Sequence, residues 1–205
     1  MTPKTESDPI SAAAIILAGG RSTRMLGRDK LLEKVDGVAL IRRSSDAAAR
    51  SKAQKVFVVL GEQHAARKAQ LRNVNVEIVV TSLAAEGMAG SIRAGIARLP
   101  DSFDGALLLL PDMPGIGTEE IDAVLAHARL DNIVRAASCD GTPGNPVYFA
   151  KRFFSELLML EGDSGARSVL AAYSECVSLV RLPGDAALLD LDTRDDWNAW
   201  RNRQR

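Results

Sequence analysis

Cysteine is almost missing from this chain. Cys139 and Cys176 stand far apart, in no metal-ligand or disulfide spacing, and that scarcity points to a reducing, cytoplasmic setting. An excess of either charge is missing too. The 26 Lys and Arg side chains balance 26 Asp and Glu, so no global field draws the protein to nucleic acid or to an anionic membrane. No apolar run is long enough to span a bilayer. The stretch from Ile10 to Leu17 is far too short, and no positively charged signal-peptide region precedes it. Internal repeats and low-complexity tracts are absent. His64 and His127 have no Ser, Cys or Asp partner at a recognisable spacing, which leaves no basis for a catalytic triad. Cys139 has no base or ligand near it in sequence and reads as structural.

What is present is an apolar content of 46% over 205 residues, ample for one core. The polar first nine residues, with Pro3 and Pro9, read as a loose tail, and residues 10–205 as a single domain. Apolar runs end repeatedly at turn residues and alternate with helix-compatible stretches. Strands are expected at 12–17, 55–60, 74–80, 105–110, 133–136, 147–149 and 177–182, with a short one at 188–192. Helices fall between them: at 62–72 with Ala65, Ala69 and Leu71 inward; from 88 with Met88, Ile92, Ile96 and Leu99 inward; from 118 with Thr118 as cap; and near 153–158 with Phe153, Phe154, Leu157 and Leu158 inward. Such alternation specifies a three-layer α/β/α domain around a mostly parallel sheet, with an antiparallel addition after residue 144.

The chain is organised around residues 15–30. The apolar run through Leu17 ends at Ala18, Gly19 and Gly20, followed by Arg21, Arg24, Arg28 and Lys30. Glycines let the backbone turn sharply and approach a ligand, and consecutive peptide N–H groups make an anion site. Neither a Walker P-loop nor the Gly-x-Gly-x-x-Gly dinucleotide fingerprint is present. The local pattern therefore fits a triphosphate seat or a plain turn. Further along, Gly87, Gly90 and Ser91 open a helix whose N-terminus either meets a ligand or is simply capped. Asp112 follows a buried strand between Pro111 and Pro114. In open α/β sheets ligands gather beyond the carboxyl ends of strands, so Asp112 is a candidate Mg²⁺ ligand, against the plainer role of capping a turn. Asp190 and Asp192 share one face of a short run. One of them is a candidate second ligand, and turn or cap chemistry is the alternative. Thr193 to Asp196 reads as a capping box opening a last helix, with Trp197 and Trp200 on one side. Arg167 lies one turn into a helix with Ser164 as its expected cap.

Several short motifs, in order, resemble the MobA-like nucleotidyltransferases: Leu17-Ala18-Gly19-Gly20, Arg24-Met25, Lys30-Leu31-Leu32, Gly87-Met88 with Ser91-Ile92, and Pro111-Asp112-Met113-Pro114. Three later ones resemble the molybdenum cofactor cytidylyltransferase (MocA-type) branch: Pro143-Gly144-Asn145-Pro146-Val147, Gly162 to Arg167, and Asp190-Leu191-Asp192-Thr193. The first loop departs from that branch. It reads Leu-Ala-Gly-Gly, as in the guanylyltransferase branch, where the cytidylyl branch usually has Leu-Ala-Ala-Gly. Leu26 stands where a glycine is common.

The resemblance implies a nucleotide-diphospho-sugar-transferase-like (Rossmann-like) fold. It also implies transfer of CMP from CTP to the phosphate of molybdopterin, with release of pyrophosphate. On this reading Leu17, Ala18, Gly19, Gly20, Gly87 and Ser91 form the nucleotide pocket. Arg24 and Lys30 offset the leaving charge, Asp112 with Asp192 holds Mg²⁺, and Asn145 with Arg167 faces the pterin. The implied partners are small-molecule substrates and a molybdoenzyme or its maturation chaperone. A guanylyltransferase or other NTP-dependent transferase on the same scaffold is the alternative within the enzyme class. A non-enzymatic pterin chaperone and a nicotinamide-dependent oxidoreductase are the alternatives outside it.

Overall fold

The computed structural model describes residues 9–20, 29–163 and 165–203, and every structural statement below concerns these. The expected tail therefore lies outside the described residues except for Pro9, as do Arg21, Arg24, Leu26, Arg28 and Ser164.

In chain order the elements are β1 (Ala12–Leu17), a 3₁₀ turn at Lys30–Leu32, β2 (Lys34–Val35), β3 (Val38–Ala39), α1 (Leu40–Arg50), β4 (Lys55–Gly61), α2 (Ala65–Gln70) and β5 (Glu77–Thr81). There follow α3 (Met88–Ala97), β6 (Gly105–Leu109), α4 (Thr118–Ala126), β7 (Ile133–Ala137), β8 (Pro143–Ala150), α5 (Phe154–Leu158), α6 (Arg167–Ala172), β9 (Val177–Arg181) and α7 (Arg194–Arg203).

Seven strands make one sheet in the order β5-β4-β1-β6-β8-β7-β9. Six run in one direction, and β8 alone is reversed, pairing antiparallel with both β6 and β7. The central strands β1, β4 and β6 are almost uninterrupted apolar runs buried along their length, the pattern of parallel strands covered on both faces. The edge strands β5 and β9 are mostly half-buried or exposed. α3 packs on β1, β4 and β5 and against α5, whereas α1 and α4 pack on each other and on β1, β4, β7 and β8. Among the described residues no helix is long and apolar enough to cross a membrane.

The structure departs from the sequence reading at several points. Leu188 to Asp192 form no strand; the segment crosses the sheet edge as an irregular strap. The third strand starts at Glu77, after a turn at 71–74. In α2 the alanines face solvent, while Arg67 and Leu71 are buried. Met88 and Leu158 are exposed at the ends of helices whose other apolar positions turn inward. Thr118 is the first residue of α4, and its hydroxyl donates to the Ala47 carbonyl. The cap position is Gly117, whose N–H donates to Glu120. The Cys139 side chain is exposed. Asp36-Gly37, a dipeptide typical of tight turns, joins β2 to β3, both residues having positive φ, as such a two-residue hairpin requires.

Candidate active site

β1 lies between β4 and β6, so the chain leaves the first strand in one direction and returns on its other side. Such a switch point opens a crevice beyond the carboxyl ends of the strands. Gly19 and Gly20 emerge there from β1, and Asp112 emerges from the neighbouring β6. β8 is reversed, so its first residues, Pro143 to Asn145, lie at this same edge.

Asp112 is buried, with 8% of its surface exposed. Its Oδ2 accepts from the Lys30 ammonium, and the same ammonium also donates to Asp192 Oδ1. Asp112 Oδ1 is buried and has no hydrogen-bond partner. Burial alone would push the Lys30 pKa down. Attraction to Asp112, hydrogen bonds to Asp112 and Asp192, and attraction to Asp192 together outweigh it, so the ammonium titrates above its ordinary value. Asp190 sits further out. Partial burial, then the nearby negative charge of Asp192 and Asp112, raises its pKa. Asp192 is thus the member of the pair that reaches Lys30, and it shares that ammonium with Asp112.

Three distant segments deliver this cluster. Lys30 opens the 3₁₀ turn capped by Asp29, whose Oδ1 accepts the Leu31 N–H at 3.1 Å. Asp112 continues β6. Asp192 arrives on the strap after β9, which is tied down by successive main-chain bonds: Leu182 N–H to Ala137 O (2.8 Å), Cys139 N–H to Gly184 O (2.9 Å), Asn145 N–H to Ala187 O (2.8 Å) and Leu191 N–H to Asp112 O (3.0 Å). No group of three or more His, Cys, Asp or Glu side chains arranged to hold a metal occurs among the described residues. Two carboxylates with one orphaned buried oxygen nevertheless fit Mg²⁺, which commonly takes one or two protein carboxylates and completes its shell with water and substrate phosphate.

The glycine turn is built from both flanks. The Ala18 N–H donates to the Val59 carbonyl at 3.0 Å, which keeps Ala18 in the sheet. Gly19 is pressed against α3 and the turn before it. A Cβ at this position would fall 2.6 Å from Ser91 Oγ and 2.7 Å from Ala84 Cβ, so only glycine fits without movement. Ser91 is therefore brought to the glycine turn. The start of α3 is less available than the sequence suggests. Met88 N–H donates to Asp163 Oδ1 (3.2 Å) and Ala89 N–H to the Gly162 carbonyl (3.1 Å). Gly87, with φ +97°, lies under Asp163, where no side chain has room. Gly87 is the cap position of α3, and Asp163 and Gly162, from a distant segment, accept the first two N–H groups of the helix.

Asn145 is half-buried at the site edge, joined to Pro146 by a cis peptide bond. This end of β8, expected from the sequence to begin only at Val147, is held by Arg135, whose Nε donates to the Gly144 carbonyl at 2.9 Å. Burial, then the charge of Arg167, lowers the Arg135 pKa, so the two guanidinium groups are electrostatic neighbours. Arg167 itself is exposed at the first position of α6. Sequence reasoning missed Arg135 and the buried Arg67. A lone arginine in a strand or a polar helix gives no periodic signal that separates it from a solvated one.

The model of the MobA-like NTP transferase domain matches residues 14–177, most of the chain, and that span includes the glycine turn, Lys30 and Asp112. The chain belongs to the MobA-like NTP transferase family. As a MobA-like transferase it is similar to the purine catabolism protein PucB of Bacillus subtilis (strain 168), with 28% identity over 193 residues, 90% of this chain and 93% of that one. It is also similar to the molybdenum cofactor guanylyltransferase of Shewanella baltica (strain OS185), at 30% identity over 135 residues, 65% of each chain. Among solved structures it resembles Rv0371c from Mycobacterium tuberculosis H37Rv, with a TM-score of 0.83 and 26% identity, covering 94% of this chain and 97% of that one.

Proposed function

We propose that this MobA-like transferase moves a nucleoside monophosphate from a nucleoside triphosphate to the phosphate of a molybdopterin-type acceptor, releasing pyrophosphate. The observation that carries the reading is the Lys30 ammonium held between Asp112 and Asp192, beside the glycine turn at the sheet's switch point.

An acceptor phosphate oxygen forms the new bond to the α-phosphorus while the bond to pyrophosphate breaks. The acceptor is already an anion, so no strong general base is required. The difficulty lies in bringing anions together and stabilising charge on the leaving group, so positioning and electrostatics dominate. The Gly19 and Gly20 amides hold the phosphates, and the Leu17 and Ala18 backbone with Ser91 borders the nucleotide. Arg24 and Lys30 offset the developing charge, and Asn145 and Arg167 face the acceptor. Asp112 and Asp192 are the residues that would hold Mg²⁺, which when bound supplies Lewis-acid polarisation of the phosphoryl oxygens. Gly87 shapes the pocket from behind by leaving room for Asp163 against the start of α3.

For the base, the Asn145 segment of β8, the Asp163 segment and the Asp190 to Thr193 strap support CTP, through their resemblance to the cytidylyltransferase motifs. Gly19 supports GTP as the second reading. Its lack of room for a Cβ makes the Leu-Ala-Gly-Gly sequence an integral part of the packing, and a relative is named a guanylyltransferase. The test is pyrophosphate release and dinucleotide formation from CTP, GTP, ATP and UTP with molybdopterin and Mg²⁺, beside thermal melting with each nucleotide and NADPH. A ligand at about a hundred times its Kd stabilises by roughly 2.7 kcal/mol, a readable shift. Turnover with CTP alone upholds cytidylyl transfer, and turnover with GTP alone assigns the base to the Gly19 turn. Pterin binding without pyrophosphate release indicates a cofactor chaperone, and a melting shift with NADPH alone overturns nucleotidyl transfer.

A further inference from the structure

We propose that Arg67 is a positioning residue that fixes Lys30 relative to the glycine turn; the proposal rests on the nucleotidyl-transfer reading above. α2 is a short helix with an exposed surface, yet Arg67 is 1% exposed, the largest side chain among the described residues to be so completely buried. Among the described residues its guanidinium donates three hydrogen bonds, two of them side by side to one carboxylate. Nη1 reaches the Ala18 carbonyl at 2.5 Å, Nε reaches Asp29 Oδ2 at 2.7 Å, and Nη2 reaches Asp29 Oδ1 at 2.9 Å.

Those two partners are the residues on either side of the functional stretch. Ala18 precedes Gly19, and Asp29 precedes Lys30. Asp29 also caps the turn that presents Lys30, because its Oδ1 accepts the Leu31 N–H. One planar fork therefore connects the end of β1 to the start of the Lys30 turn. A lysine cannot copy it, since bidentate carboxylate recognition with a third, in-plane donor is particular to arginine.

Stability alone does not account for this choice. Burying an ion pair is offset by desolvation, and well-packed apolar side chains serve a core as well or better. What the fork supplies is a fixed distance and orientation. Reactions governed by positioning are sensitive to this, a displacement of about 1 Å being enough to cost on the order of a hundredfold in rate.

The experiment compares wild type, Arg67→Met, Arg67→Lys, Lys30→Ala and the double variant Arg67→Met/Lys30→Ala. Each is assayed for pyrophosphate release with molybdopterin and CTP or GTP, and for amide hydrogen exchange at residues 29–32. The expected result is a fall in kcat on the order of tenfold or more for Arg67→Met, a smaller fall for Arg67→Lys, and a double variant no worse than Lys30→Ala alone. Exchange at Leu31 and Leu32 accelerates in both Arg67 variants while the β4 and β6 amides stay protected. Additive losses in the double variant, or unchanged exchange at 31–32, overturn the positioning role. A wild type that transfers no nucleotide overturns the functional reading instead, and the exchange measurement still decides whether Arg67 fixes the Lys30 turn. If Arg67→Met does not fold, Arg67→Lys carries both measurements.

Discussion

Asp112 shows how one side chain can be prepared for chemistry while contributing little to the fold. One carboxylate oxygen is satisfied by Lys30, and the other is buried with no partner. An unpartnered buried acceptor is unfavourable, and it is tolerated here at the place where substrate phosphates and a divalent cation are proposed to meet. Asp112→Asn preserves the shape and leaves Lys30 its bond to Asp192. Its melting temperature is therefore expected to stay close to that of wild type, while transfer falls by a factor on the order of a hundred or more. Parallel melting and turnover measurements check this, and near-normal turnover in the folded variant would remove Asp112 from the metal site. Asp112 could be singled out in the sequence because it follows a buried strand, and ligands of open α/β sheets gather beyond the carboxyl ends of strands. Arg67 could not, because only the folded chain shows that its neighbours Ala65 and Ala69 face water.

At the scale of elements, α7 fastens the segment that carries Asp192. Its start is the capping box read from the sequence: Thr193 N–H donates to Asp196 Oδ2 at 2.7 Å, and Asp196 N–H donates to Thr193 Oγ1 at 3.2 Å. The Thr193 hydroxyl, which also donates to Asp196, is the largest of the influences holding the Asp196 pKa below its ordinary value. A carboxyl with a lower pKa in the folded state than in the unfolded state stabilises the fold above its unfolded pKa, about 3.9. That contribution disappears as the pH falls through the folded value. Acidification below about pH 4 is thus expected to loosen α7, seen as a change in emission from Trp197, which is buried with Val35, Leu40 and Leu191. In Asp196→Asn this acid-dependent component should vanish. A titration with the same amplitude in both proteins would place the sensitive group elsewhere. The capping box was legible because it is local, spanning four residues. The preceding Leu-Asp-Leu-Asp alternation misled for the same reason: it has strand periodicity, but its main-chain bonds run to Asp185 and to Asp112 rather than to a neighbouring strand, which no local pattern reveals.

Across the whole molecule, the mostly parallel character of the sheet was readable because continuous apolar strands and intervening helices leave few alternatives. What joins the two halves of the site was not readable. The strap from Leu182 to Asp192 crosses the carboxyl edge of the sheet from β9 to Asp112, and Leu191, with none of its surface exposed, anchors its end beside Val35, Leu40 and Trp197. The strap should therefore couple core packing to divalent-cation use. Leu191→Ala deletes fully buried methyl groups and is expected to lose about 2–5 kcal/mol of stability. Leu157→Ala, at an equally buried position in α5, should lose a comparable amount. The two variants should separate in the cation dependence of turnover. Leu191→Ala frees the backbone next to Asp192 and should require a higher Mg²⁺ concentration for half-maximal rate, whereas Leu157→Ala, which lies on no segment that presents Lys30, Asp112 or Asp192, should follow the wild-type curve. Urea unfolding matches the two variants in stability before the Mg²⁺ titrations are compared. Coincident titrations would mean that Asp192 is held in place by Lys30 alone and that the strap serves only to close the sheet edge.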